Sequence, residues 1–235
     1  MKILAIDTTS PSGSVALLED RAVLRAMASA AEQSYSSRLQ QDVERVIVGA
    51  GVGLPQVELF AVAAGPGSFT GVRVGLAAVK AWAEVYKRPV AAVSALEAIA
   101  AQVESHIPMI AAITDAHRGQ LFAGLYTRAG APETLHFSQL GEDVVLPAAE
   151  CMAYLFQHAA GKAFVIRTTA TEMVRAAAAA SAPRAVPIET ADPLLAPAIG
   201  LLALSRAQRG ELGDALTLDA HYVRRSDAEL LWKPN

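Results

Sequence analysis

The sequence predicts an α/β protein of two lobes, and three observations support this fold class. The chain has 235 residues, of which 53% are hydrophobic and 18% charged, so it can bury a large core. Short apolar runs of strand length alternate with segments of helical spacing along most of the chain. Each half also opens with a strand that ends in an aspartate, Asp7 in one and Asp115 in the other. We therefore place lobe one at 1–103 plus 195–235, a returning helix and tail, and lobe two at 104–194.

The first lobe opens with three apolar segments, 2–6, 14–18 and 22–28, which are separated by turn residues and predict a three-stranded meander. A helix follows over 34–50, because apolar residues recur there at helical spacing and a glycine-rich segment ends the pattern. The alternation then continues to the end of the chain. The later predicted strands are 59–64, 90–93, 109–114, 120–126, 135–140 and 163–166, and the later helices are 70–86, 94–104, 147–158, 169–180 and 195–209.

The composition excludes several classes of protein. The net charge is −3, and no run of Lys or Arg indicates a nucleic-acid footprint. Cys151 is the single cysteine, so no internal disulfide can form, which fits a reducing compartment. The apolar segment at the N-terminus is too short for an export signal, and no run reaches the ~18 apolar residues of a membrane span. We therefore expect a cytoplasmic protein with no membrane partner.

Residues 65–75, with the sequence GPGSFTGVRVG, are the most informative stretch of the chain. Pro66 and Gly67 predict a type II turn in which Gly67 takes a positive φ. Ser68 or Thr70 is placed to cap the helix that follows. The small residues of that helix indicate either an anion cradle at its N-terminus or a tight helix–helix contact.

Helices 34–50 and 70–86 carry an apolar strip that faces the core or is left outside for a partner. The candidate interface residues on this strip are Tyr35, Leu39, Val43, Gly71, Gly75, Val79 and Trp82.

Asp7, Thr8 and Thr9 stand at the end of the first strand. A carboxylate and two hydroxyls at this position can hold the phosphate of a nucleotide, or they can form a local turn that satisfies its own backbone. The five histidines show no metal-ligand spacing, and no Gly-x-Ser-x-Gly motif is present. The sequence therefore offers no candidate metal ligand and no candidate catalytic residue.

Three segments resemble the TsaB (YeaZ) family: ILAIDTT at 3–9, GPGSFTGVRVG at 65–75 and YVR at 222–224. Their order and spacing extend the resemblance along nearly the whole chain. It implies the actin-like, Hsp70-like, sugar-kinase (ribonuclease H-like) fold, with a mixed sheet flanked by helices in each lobe. It also implies a role in forming N6-threonylcarbamoyladenosine at position 37 of tRNAs that read ANN codons.

The same resemblance implies a non-catalytic subunit. A TsaD-type relative transfers the threonylcarbamoyl group, the TsaB-type protein binds it through the region of helices 34–50 and 70–86, and a TsaE-type ATPase is the third component. The chain would then meet tRNA indirectly and hold no cofactor on its own, with ATP or ADP entering only in the complex. A homodimer through the same helices is the alternative association.

TsaD-type relatives bind their metal with the two histidines of an Asn-His-Leu-Glu-Gly-His pattern, which falls on residues 94–99 here. Leu96 and Glu97 match the pattern, but Ala95 and Ile99 occupy the histidine positions. Their hydrocarbon side chains have no lone pair to offer a divalent ion. The resemblance therefore implies that this chain lacks the metal site of its relatives.

Two other function classes stay open. A metal-dependent, glycoprotease-like peptidase would require a bound metal. A small-molecule kinase on the same fold would require phosphate-binding turns in both lobes. Where many family members carry glycines, residues 165–169 read VIRTT, which removes a close backbone approach and leaves Arg167 to meet a phosphate there.

Overall fold

Two five-stranded sheets organise the chain, whose computed structural model describes residues 1–29, 35–129 and 135–224. The first sheet is formed by β1 (Lys2–Asp7), β2 (Ser14–Glu19), β3 (Ala22–Ala28), β4 (Leu59–Gly65) and β5 (Val90–Ser94). The second is formed by β6 (Met109–Asp115), β7 (Gln120–Ala129), β8 (His136–Pro147), β9 (Val165–Thr168) and β10 (Ile188–Thr190). The helices are α1 (Tyr35–Gly49), α2 (Phe69–Tyr86), α3 (Ala95–Ala100), α4 (Ala148–His158), α5 (Thr171–Ser181) and α6 (Ala196–Gln208).

Both sheets have the same topology. In the first, the strand order is β3-β2-β1-β4-β5, and β1 pairs antiparallel with β2 but parallel with β4. In the second, the order is β8-β7-β6-β9-β10, and β6 pairs antiparallel with β7 but parallel with β9. The fold class is therefore confirmed: two mixed sheets of one topology, each flanked by helices, as in the actin-like and sugar-kinase proteins.

The alternation of side chains along the strands gives the molecule five layers. Ile3 and Ala5 of β1 face the side of the first sheet on which α3 and α6 pack, while Leu4 and Ile6 face the side covered by α1 and α2. The second sheet packs one face on the α3–α6 layer and the other on α4 and α5. The order is α1–α2, first sheet, α3–α6, second sheet, α4–α5.

Helices α3 and α6 join the two sheets. α6 packs on β1, β2 and β4, whereas α3 contacts strands of both sheets. The Arg206 guanidinium of α6 donates to the Glu97 carboxylate of α3 and to the carbonyl of Ala92. At the start of α6, the N–H of Ala196 donates to Ser14 Oγ at 2.9 Å. The lobe boundaries given above stay a prediction, and residues 225–235 of predicted lobe one lie outside the described residues.

Most predicted elements occur near their predicted bounds, and the differences have local causes. β8 continues to Pro147 instead of ending near residue 140, because its pairing with β7 extends to Gln120. The predicted helix 94–104 ends at Ala100, and the Gln102 side chain beyond it is bonded to the backbone of the loop before α6. The three-residue strand β10 is too short to show a periodicity. Of the helices described, none is long and apolar enough to cross a bilayer.

Candidate functional site

The loop between β4 and α2 differs from the predicted type II turn. The Gly65–Pro66 peptide is cis, Gly65 has φ +116°, and Gly67 is not among the residues with positive φ. Gly67 is needed for a different reason, since a Cβ there would lie 2.4 Å from the carbonyl oxygen of Thr9. Ser68 caps α2 as predicted, because its hydroxyl accepts the N–H of Gly71 at 3.2 Å.

The small residues of α2 accommodate the turn that follows β1 in the same chain. A Cβ at Gly71 would lie 2.0 Å from the carbonyl oxygen of Thr8, and a Cβ at Gly75 would lie 2.4 Å from Thr8 Oγ1. The close approach predicted for this helix face is therefore made with the turn at Thr8. Use of the helix N-terminus as an anion cradle and use of the helix in a helix–helix contact stay predictions.

Asp7, Thr8 and Thr9 form a buried turn beneath this contact. Asp7 Oδ1 accepts the Thr9 N–H at 2.8 Å and the Thr9 hydroxyl at 2.6 Å, which is a turn that satisfies its own backbone. Burial raises the pKa of the Asp7 carboxyl, and the two hydrogen bonds from Thr9 oppose that rise. Asp7 Oδ2 and Thr8 Oγ1 are buried without a hydrogen-bond partner among the described residues. The role of this turn toward a nucleotide phosphate stays a prediction.

A cleft of about 840 Å³ opens between the two sheets, beside this turn and the loop after β4. From the first half, Thr9, Gly67 and Ser68 line it, and from the second half Thr114 and Thr169 do. The three residues predicted to hold a phosphate therefore lie in different places. Thr9 reaches the cleft wall, whereas Asp7 and Thr8 lie behind it.

The side of the cleft that α3 forms is apolar. Ala95 and Ile99, the positions that the family resemblance gives to two histidines, both line the cleft, and each is 1% exposed. Glu97, between them in sequence, is held in the ion pair with Arg206. No lone-pair donor is present at either position, so these residues do not fit a metal ion. Within the described ranges, no group of three or more His, Cys, Asp or Glu could hold one elsewhere.

The second sheet repeats the corner of the first. Asp115 ends β6 as Asp7 ends β1, and its Oδ1 accepts the N–H of His117 at 2.7 Å. This carboxylate is much more exposed than that of Asp7. Arg167, expected to meet a phosphate, is instead buried and paired with Glu189 at 3.2 Å and with Glu104 at 3.8 Å. Its charge is therefore used inside the protein, and the phosphate role expected of it is not supported.

The predicted interface residues lie mostly inside the protomer. Leu39, Val43 and Val79 belong to the core between the first sheet and α1–α2, each at most 5% exposed. Gly71 and Gly75 are also buried. Of the remaining two, Tyr35 is half-buried and its hydroxyl donates to the carbonyl of Ser10, while Trp82 is half-buried against Phe60. A surface on these helices must therefore consist mainly of other residues.

Two features of functional interest were predicted from the sequence only in part or not at all. One is an apolar stripe along the outer side of α2, formed by Val74, Ala77, Ala78, Ala81, Trp82 and Val85, all half-buried or exposed. Its spacing of three and four residues is visible in the sequence, but helix 70–86 is apolar on its core side too. The other is the segment 218–224, called the strap below, which lines the cleft with residues 221–224.

Known proteins resemble this chain at the level of sequence and of structure. The sequence model of a family described as TsaD: tRNA N6-adenosine threonylcarbamoyltransferase matches residues 28–154. The tRNA threonylcarbamoyladenosine biosynthesis protein TsaB of Bacillus subtilis (strain 168) is 36% identical over 126 residues, which are 54% of this chain and 55% of that protein. The chain therefore spans about half the length of the curated relatives it matches.

Two solved structures from Pseudomonas aeruginosa align over nearly the whole chain. One, an uncharacterised protein with similarity to peptidase YEAZ, is 26% identical with a TM-score of 0.76 and covers 95% of this chain and 99% of its own. The other, YeaZ, is 27% identical with a TM-score of 0.74 and covers 94% and 99%. The family model spans more than half of the chain, and the two structures add the YeaZ fold. This chain therefore belongs to that threonylcarbamoyltransferase family, and within it to the TsaB (YeaZ) group.

Proposed function

We propose that this chain is a non-catalytic subunit required for forming N6-threonylcarbamoyladenosine at position 37 of tRNAs that read ANN codons. In this proposal it binds and activates a TsaD-type transferase, alongside a TsaE-type ATPase, and meets tRNA only through the complex. It holds no cofactor alone, and ATP or ADP enters at the level of the complex. Membership of the TsaB group supports the pathway.

The observation that carries the non-catalytic role is the apolar wall of the cleft. A methyl group and a branched hydrocarbon stand at residues 95 and 99, where the catalytic relatives place imidazoles. Glu97, which matches the family pattern, forms an ion pair with Arg206 of α6, so its carboxylate faces that helix. In this proposal a chain without imidazoles at residues 95 and 99 acts by changing the conformation of a partner, and the partner carries out the transfer.

We assign the docking surface to the stripe on α2. This helix packs Val72, Leu76 and Val79 on the first sheet, so its outer side is held in a fixed position. Val85 is 70% exposed, and the small side chains of Ala77 and Ala81 let a partner helix approach closely. An apolar stripe with spacing of three and four residues is what helix-to-helix docking uses. Of the predicted interface residues, Trp82 belongs to this surface.

The test is reconstitution of the transfer reaction. Threonylcarbamoyl transfer from its adenylate to tRNA is measured with the TsaD-type and TsaE-type proteins, with and without this chain. We expect activity only when the chain is present. Activity that does not depend on the chain, or turnover by the chain alone, would contradict the proposal.

A matched pair of variants locates the surface. Ala81→Glu places a charge in the stripe, whereas Ala176→Glu makes the same change at an exposed alanine of α5. We expect the first to abolish co-purification with the TsaD-type protein and the second to leave it unchanged, with both variants folded by circular dichroism. Equal binding by the two variants would place the interface elsewhere.

The two other function classes predict different measurements. A kinase would bind ATP at micromolar concentration as an isolated chain in a calorimeter, and a metallopeptidase would purify with a stoichiometric metal. We expect neither result from the isolated chain.

A further inference from the structure

The strap, residues 218–224, is attached to the first half of the molecule mainly by its backbone and apolar side chains. Leu218 is buried in the core between the first sheet and α1–α2. The N–H of His221 donates to the carbonyl of Ala64 at 2.8 Å, at the end of β4. The Tyr222 ring lies 4.9 Å from that of Phe69 on α2. These contacts do not involve the imidazole of His221.

The strap reaches the second half through side chains. His221 Nε2 lies 3.0 Å from Asp143 Oδ2 on β8. The Arg224 guanidinium donates to the side chain of Gln120 and lies 5.6 Å from the ring centre of Phe122. The strap therefore spans the cleft, and its two attachments can be changed separately.

The Asp143 carboxylate is held in place by neighbouring groups to accept this hydrogen bond. Its side chain is 1% exposed although it carries a carboxylate. Oδ1 accepts from Tyr126 at 3.2 Å and from Gln139 at 2.9 Å, so His221 remains as the described partner of Oδ2. A Cβ at Gly124 would lie 2.2 Å from Oδ1, which means that the neighbouring strand leaves room for the carboxylate. Loss of the imidazole would leave a buried carboxylate oxygen without its partner, which is costly.

We propose that the strap is a clasp that sets the opening of the cleft, and that the contact of His221 with Asp143 is its releasable half. Closing requires the second half to meet a segment already fixed on the first half. Releasing the imidazole leaves the strap on the first half and removes one of its two side-chain attachments to the second, so that the Arg224 contact alone resists widening of the cleft. This proposal does not rest on the proposed function.

Protonation of His221 strengthens the clasp. Its hydrogen bond to Asp143 raises the pKa of the imidazole above the usual 6.5. Because the pKa is higher in the closed state, the added stability is present below about 6.5 and is lost as the pH rises through the raised value. Asp143 supplies the charge that acts on the ring, while the other ionisable groups along the cleft are Arg73, Asp115, His117, Tyr222 and Arg224.

The experiment measures the distance between the halves by pulsed electron–electron double resonance between two spin labels. Spin labels are placed at exposed positions 40 on α1 and 179 on α5 with Gln40→Cys and Ala179→Cys. The native Cys151 thiol is buried, and burial raises its pKa to about 12, so we expect it to react with label slowly. The full chain is used, diluted with unlabelled protein.

We expect a narrow distance distribution that broadens toward longer distances in His221→Ala. Hydrogen exchange at the His221 amide should stay the same, because its bond to the Ala64 carbonyl on the first half is kept. His106→Ala, at an exposed histidine outside the cleft, should change neither measurement. Unchanged distances in folded His221→Ala would overturn the clasp.

A conservative variant tests the role of the charge. His221→Gln keeps an N–H donor for Asp143 but does not titrate. We expect its distances to stay the same between roughly pH 5.5 and roughly pH 8.5, while those of the parent chain broaden over this interval. Broadening of equal size in both would refute the assignment of the pH effect to His221.

Discussion

The contact between α2 and the turn after β1 makes a prediction that can be worked out atom by atom. Gly75→Ala adds a Cβ that would lie 2.4 Å from Thr8 Oγ1 and 3.3 Å from Val62 Cγ2. The first distance is too short for a van der Waals contact, so the helix or the Thr8 side chain must shift. Overpacking of this kind costs about 1–3 kcal/mol. Alanine is favoured over glycine inside a helix by about 1 kcal/mol, so we expect a net loss of up to about 2 kcal/mol.

A second substitution should rescue the first. Thr8→Ala removes Oγ1, after which the nearest atoms to the new methyl are Val62 Cγ2 at 3.3 Å and the residue 8 Cβ at 3.6 Å. Thr8 Oγ1 has no hydrogen-bond partner among the described residues, so its removal breaks no described hydrogen bond. We expect the double variant to be more stable than Gly75→Ala, with a coupling free energy of about 1–3 kcal/mol.

Gly71→Ala is the matched control. Its Cβ would lie 2.0 Å from the backbone oxygen of Thr8, which Thr8→Ala retains. We therefore expect Gly71→Ala to be destabilising in both backgrounds. The assay is urea unfolding, followed by circular dichroism, of the parent chain and the five variants. Additive effects of Gly75→Ala and Thr8→Ala would refute the reasoning, because the clash would then not be with the hydroxyl.

Three further predictions follow from buried polar groups. Arg206→Ala leaves Glu97 half-buried without its partner, and we expect urea unfolding to show a loss of about 2–4 kcal/mol, with a smaller loss for Glu97→Gln. The pKa of Cys151, raised to about 12 by burial, predicts slow alkylation by iodoacetamide in the native state and fast alkylation in urea; equal rates would contradict its burial. Burial raises the pKa of Asp7, so its ionised form opposes folding at neutral pH. Asp7→Asn should therefore raise the free energy of unfolding at neutral pH, and the gain should shrink as the pH falls toward the usual carboxyl pKa, which a urea series at several pH values would show or exclude.

Much of the architecture could be predicted from local patterns. The meander of β1 to β3 and the alternation of later strands and helices follow from apolar periodicity, and the aspartates that end β1 and β6 mark the repeat. The helix start at Ser68 follows from its side chain, because capping is a local interaction. These features depend on residues close together in the sequence.

The site depended on long-range contacts that no local pattern records. Arg73 and Tyr222 are 149 positions apart, yet their side chains bond at 3.0 Å. Gly67 looks like a turn glycine, but its small size is required by the backbone of Thr9 in another strand connection. The apolar residues Leu39 and Val43 are as suitable for a partner as for the core, and only the packing of α1 on the first sheet decides between them.

The apolar wall at residues 95 and 99 also bears on whether a metal centre could be introduced into this cleft. Both side chains are 1% exposed, and both belong to the core cluster that continues into the two sheets. An imidazole in place of the Ala95 methyl would need volume that close packing has already filled. Two histidine substitutions would therefore have to be accompanied by remodelling of the wall between the sheets, so single substitutions at these positions would not create a metal centre.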